Sequence, residues 1–174
     1  MASGDASLRS HFADLGRNPD SWLSSALMLK QVTDLIWWTP DWAGAESTEG
    51  PMQHVGDMTI WPVGLMLAGL ALELLVKGLL IVNNPALVTA EKLDAQLTKH
   101  ALARYLEEAS IVLEEEEVAL VKRLEEFITW AGRYPIPTKF MQRKAPPMLS
   151  TSDPIIFQQL FARLSQKLDT KRHA

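Results

Sequence analysis

A chain of 174 residues with 47% hydrophobic and 22% charged residues has the size and make-up of one globular domain. The absence of cysteine excludes a disulfide framework, thiol chemistry and cysteine-ligated zinc, and it suits a reducing, cytoplasmic compartment. With 17 basic and 21 acidic residues the formal charge is -4, which disfavours wholesale polyanion binding while allowing a local basic patch.

Size scaling for 19.4 kDa predicts about 8,500 Å² of folded surface against about 28,000 Å² unfolded, enough burial for a real core. The stretch Met1 to Pro19 is neither arginine-rich nor continuously apolar, so it reads as a flexible arm, residues 1–19, rather than a targeting segment. It precedes a single helical domain over residues 20–174. Asp20 or Ser21 is placed to cap a first helix in which Trp22, Ala26, Leu29, Val32 and Ile36 recur at helical spacing, ending before Thr39-Pro40.

Pro40, Gly44, Gly50, Pro51 and Gly56 then break the period and predict a long loop over 38–60. The loop is acidic, with Asp41, Glu46, Glu49 and Asp57, and Trp37, Trp38 and Trp42 stand at its entrance. These tryptophans are either aromatic anchors of a partner surface or a cap folded back over the end of the bundle. Pro62 suits a helix start, and Val63 to Val82 follows with only Glu73 and Lys77 charged. Two ionisable groups near the centre would each cost about 2.5–3.5 kcal/mol in a bilayer, and no basic cluster flanks the segment. A central buried helix, not a membrane span, is expected. Its Gly64, Ala68, Gly69, Ala71 and Gly78 allow close helix approach, and Asn83, Asn84 and Pro85 end it.

A short turn is predicted at 90–97, with Thr98 as the cap of a third helix that runs to about Ala109 and buries Leu102, Tyr105 and Leu106. A fourth begins near Leu113, its Glu114 to Glu117 a solvated start favoured by the helix dipole, with Val121, Leu124, Ile128 and Ala131 inward. Gly132 and Pro135 stop it. A stiff basic loop over 133–152 holds Arg133, Lys139, Arg143 and Lys144 with four prolines, at 135, 137, 146 and 147. The last helix starts at Asp153-Pro154 and turns Phe157, Leu160, Phe161, Leu164 and Leu168 to the core, with Lys167, Lys171 and Arg172 near its end. The predicted fold is all-α: an antiparallel up-and-down bundle of four or five helices.

Catalytic signatures are missing: no nucleophile elbow, phosphate-binding glycine loop, dinucleotide fingerprint or zinc-protease motif occurs. His11, His54, His100 and His173 are not paired at ligand spacing, so no metal and no cofactor are expected. If five rods alternate in direction, one pole gathers Lys77, His100, Arg133, Tyr134, Lys139, Arg143 and Lys144. The acidic loop and the glutamates at 114–117 then lie at the other. The basic pole could grip a phosphate or a partner carboxylate, or be a hydrated turn. Glu73 and Lys77, four residues apart, permit an ion pair, either structural at a bundle edge or dimer seam or functional in a polar cleft. His100 is either a hydrogen-bonding residue at a helix start or a proton-transfer group.

The run from Gly69 through Glu73 and Lys77 to Leu80, Lys99-His100 with leucines beyond it, and Trp130-Ala-Gly-Arg133-Tyr134-Pro135 resembles HEPN-domain proteins over about 70 residues, Gly69 to Pro137. The resemblance implies an antiparallel helical bundle, frequent dimerisation, and roles in RNA cleavage, nucleotide binding or toxin and antitoxin systems. RNA-cutting members carry an arginine separated by four to six intervening residues from a following histidine, five to seven positions before it. The corresponding positions here are Ala6, Asp5 and Gly4; Glu49, Thr48 and Ser47; Ala95, Asp94 and Leu93; and Leu168, Lys167 and Gln166. None is arginine. The expectation is therefore a non-catalytic HEPN-like bundle, a homodimer that binds a partner protein or a nucleotide or RNA. A divergent ribonuclease using His100 and Arg133, with Glu73 assisting, is one alternative. A structural subunit of a larger complex, docked through Trp37, Trp38 and Trp42, is the other.

Overall fold

A computed structural model of the protein describes residues 2–38, 54–131, 150 and 152–172. Among them are six α-helices: α1 (Ala2–Arg17), α2 (Pro19–Trp38), α3 (His54–Asn83), α4 (Leu102–Glu108), α5 (Glu115–Glu126) and α6 (Asp153–Arg172). The last turn of α5 widens into a π-helical turn, Phe127–Ala131. The all-α bundle predicted from periodicity is what the chain forms, around a core supplied chiefly by α3, α5 and α6.

Two boundaries differ from expectation. Residues 2–17 are helix rather than an arm: Asp5 and Arg17 sit at the ends the helix dipole favours, and Leu8, Phe12 and Leu15 share a face. The end of α1 is fastened, with the Arg17 guanidinium donating to the Val88 carbonyl at 3.0 and 2.8 Å and the Trp22 indole to the Gly16 carbonyl at 2.7 Å. Among residues 5–17 of α1 only Ala13 is buried. The second difference is that α3 begins at His54, so the predicted loop over 38–60 is shorter and Pro62 lies inside a helix. Its missing N–H costs one intrahelical bond, which the many buried contacts of α3 offset.

Caps also differ in detail. Asn18, not Asp20 or Ser21, starts α2: its Oδ1 accepts from the Asp20 N–H at 2.9 Å, with Pro19 as first helical residue. Asn84 ends α3 and caps a 3₁₀ turn, Pro85–Leu87. Asp94 caps a second, Ala95–Thr98, so Thr98 closes that turn instead of opening α4, which starts after Ala101.

The four long helices α2, α3, α5 and α6 run up, down, up, down. Trp22 lies on Gly78 while Trp37 lies on Gly64, where a Cβ would overlap the indole, so α2 and α3 are antiparallel. Trp37 also meets Phe157 edge-on at 5.4 Å, and Arg172 pairs with Asp20, which sets α6 antiparallel to α2 and parallel to α3. Arg123 pairs with Asp153 and Glu117 with Arg163, so α5 opposes α6. The seven-residue α4 is not a rod of this bundle. The connection from 84 to 101 turns back along α3 and brings His100 against Glu73, ten residues before the end of α3.

This overturns the count of five alternating rods. The start of α6 lies with the end of α2, at the pole opposite the C-terminus of α3, so alternation does not carry the 133–152 connection to the pole where α3 ends.

Candidate functional site

An acid in a helix as apolar as α3 must find partners, because a buried unpaired charge costs several kcal/mol. Glu73 is 3% exposed and finds two. One turn on, Lys77 donates from Nζ to Glu73 Oε1 at 2.6 Å. From the returning connection, His100 Nδ1 lies 3.2 Å from Oε1 and 3.4 Å from Oε2. A carboxylate only accepts, so the hydrogen of His100 is on Nδ1, and Nε2 is left for solvent or a ligand. The imidazole is the open part of the cluster, with 35% of its side chain exposed.

Tyr105 completes the group from α4. Its ring lies 5.3 Å from Lys77 Nζ, a cation–π contact, and its hydroxyl donates to the carbonyls of Gln96 and Lys99, at 2.6 and 2.7 Å, which share one hydrogen. Burial, and secondarily the negative charge of Glu73, push the Tyr105 phenol above its ordinary pKa of 10.0, so it remains a donor at neutral pH. Arg104 stacks by the same ring at 5.2 Å and donates to the Gln96 carbonyl at 3.1 Å.

The arrangement ties three segments together: α3 through Glu73 and Lys77, the return connection through His100 and Gln96, and α4 through Tyr105. Chemically, Glu73, Lys77 and Tyr105 are satisfied, and His100 Nε2 is the part left open. Both Glu73 oxygens are engaged, the Lys77 ammonium is neutralised at contact distance, and the phenol is held protonated. The apolar concavity of about 340 Å³ between α1, α2 and α3 is lined by Phe12, Leu15, Gly16, Ser21, Trp22, Ser25 and Leu74, and by no member of this cluster. Among the described residues no three acidic or histidine side chains are grouped to hold a metal ion.

Glu73, Lys77 and His100 are thus brought together as a set. Arg133, Tyr134, Lys139, Arg143, Lys144 and Trp42 lie outside the described residues. Of the other tryptophans, Trp37 folds back onto Gly64, Trp61 and Phe157, whereas Trp38 is 52% exposed. The indole N–H groups of Trp37 and Trp61 are buried with no hydrogen-bond partner among the described residues.

Two further ionic ties lie between helices. Asp153, completely buried, receives Arg123 through both of its oxygens, with Nε at 3.1 Å, and accepts the Ser150 N–H at 3.2 Å. Glu117 is buried rather than solvated: it accepts the Glu114 N–H at 3.0 Å and Arg163 at 2.5 Å. Aspartate at a helix start was the one signal for the first, and the capping-box spacing Glu114 to Glu117 the one signal for the second.

The helix Trp61–Asn83 is long and apolar enough to cross a membrane, and 72% of its most apolar window is buried against the rest of the chain. No family model, curated protein or solved structure matches the chain.

Proposed function

We propose that the protein is a non-catalytic, HEPN-like helical bundle of the cytoplasm that works by docking another polypeptide on the outer face of α2. The single observation that carries this is the placement of charge on α2. Asp20, Lys30 and Asp34 are its only charged residues, and each is engaged towards α6: Asp20 with Arg172, Lys30 with Asp34 at 2.5 Å, and Asp34 with Gln158 at 2.5 Å. The outward face is left without charge and rich in large apolar side chains. Surfaces of that kind mark interaction sites. The engagement of Glu73, Lys77 and Tyr105 with one another supports the non-catalytic part of the reading.

The test is incubation of purified protein with a mixed RNA pool. Intact RNA is expected with wild type and with a His100→Ala, Arg133→Ala variant alike; cleavage by wild type that the variant loses would establish the ribonuclease alternative instead. A second reading, a nucleotide or RNA phosphate held at His100, is favoured by the open imidazole beside exposed Lys99 and Arg104. Titration with nucleotides and short RNA tests it, and binding should weaken as salt rises.

A further inference from the structure

The outer face of α2 has a polarity that identifies its occupant. Leu27, Met28, Val32, Leu35 and Trp38 are each 41–62% exposed, and Ser24 and Gln31 are the only polar residues exposed among them. The seam Ser21, Ser24, Met28, Gln31, Leu35 and Trp38 steps by three and four, the spacing of a helix face that packs along a second helix. Its N-terminal end is small, with Ser21, Ser24 and Ser25, and Leu27 and Met28 follow towards its middle. Its C-terminal end is large, with Val32, Leu35 and Trp38.

We infer that the occupant is a second copy of this chain, packed α2 against α2 in antiparallel orientation about a two-fold axis between Met28 and Gln31. This rests on the interaction reading above and adds the partner. The axis sets Leu35 of the second copy over Ser24 and Trp38 of the second copy over Ser21, so each large end meets a small end. Met28 meets Gln31. Parallel packing would set large on large and leave the serine end empty.

The concavity of about 340 Å³ stands at that serine end, between Ser21, Ser25, Phe12 and Leu15, and its lining is apolar. It is the hollow that the aromatic end of the second copy would enter. Contact of this kind is self-complementary and closes after two subunits. The area also fits. The five α2 residues with Leu8, Phe12 and Leu15 of α1, which are 46–70% exposed, amount to about four fully exposed large side chains. At roughly 200 Å² each that is about 800 Å², the contribution of one partner to a standard interface. An anionic lipid surface would instead call for basic residues around the apolar stripe, and α2 presents none outward.

Sedimentation should give about 39 kDa, twice the 19.4 kDa chain. A Met28→Lys, Val32→Lys variant should fall to one chain mass with its helical circular dichroism retained, because both side chains are exposed in a single copy. With no native cysteine, orientation is read by cross-linking: Ser24→Cys protein mixed with Leu35→Cys protein should form a disulfide-linked pair under mild oxidation, more readily than either alone. Wild type at one chain mass at every concentration, a dimer that survives the double lysine variant, or Ser24→Cys protein preferring to link to itself would each overturn the inference. So would a single chain that binds phosphatidylcholine–phosphatidylglycerol vesicles through this face. The RNA assay judges the non-catalytic reading separately, so the two can fail independently.

Discussion

Replacing Lys77 by methionine keeps the length and apolar stem of the side chain and removes only the charge, which leaves Glu73 buried with His100 as its remaining partner. Breaking a buried ion pair from one side costs about 3–5 kcal/mol, mostly the price of the stranded charge. His100 still donates to Glu73, so the lower end of that range, about 3 kcal/mol, is expected. For a chain of this length 1 kcal/mol shifts the midpoint by about 2–4 °C, so the thermal transition should drop by roughly 6–12 °C. The companion variant, Glu73→Leu with Lys77→Met, removes both charges and should recover most of the loss, since a well-packed apolar pair is often as stable as the ionic one. Urea unfolding followed by circular dichroism measures all three proteins. The reasoning is refuted if Lys77→Met costs less than about 1 kcal/mol, the value of an exposed pair, or if the double variant is no more stable than the single one.

Asp153→Ala should destabilise by about 3–5 kcal/mol, because it strands Arg123 and uncovers the Ser150 N–H at the start of α6, and a lower urea midpoint would report it. Tyr105→Phe should cost about 1 kcal/mol for the lost hydroxyl bond. Because folding raises the Tyr105 pKa, the folded state holds a proton that the unfolded state has given up. Wild-type stability should therefore fall as pH rises above the ordinary value of 10.0, more steeply than in the variant. Of the chain's two tyrosines, one should ionise late in an ultraviolet titration and vanish in Tyr105→Phe. Gly69→Ala should cost about 1–3 kcal/mol, since its Cβ would stand 2.6 Å from Ile128 Cγ2 and 3.2 Å from the Leu124 carbonyl oxygen. An unchanged melting temperature would show that α3 and α5 have room to part.

Much of the site and of the core is written in local spacing. Leu102, Tyr105 and Leu106 of α4, and Phe157, Leu160, Phe161, Leu164 and Leu168 of α6, are buried where helical periodicity puts them. Glu73 and Lys77 form the pair that a four-residue separation in a helix permits. His100, singled out as a helix-start residue, is one of the Glu73 partners, whereas Tyr105 was visible only as an apolar position. The ties of Asp153 to Arg123 and of Glu117 to Arg163 span 30 and 46 residues, and no local period relates such positions.

The sequence by itself determined which faces are apolar and hence that the chain is a helical bundle, because a 3.6-residue repeat is a property of neighbours along the chain. Direction was decided only by tertiary structure. An α-helix rises 1.5 Å per residue, so α4 with seven residues spans about 10 Å where α3 with 30 spans about 45 Å. A helix that short cannot carry the chain across the bundle. The connection before it instead runs back along α3, held by His100 on Glu73 and by Tyr105 on the Gln96 and Lys99 carbonyls, contacts between residues up to 27 positions apart. Those few polar bonds set the parity of every helix that follows.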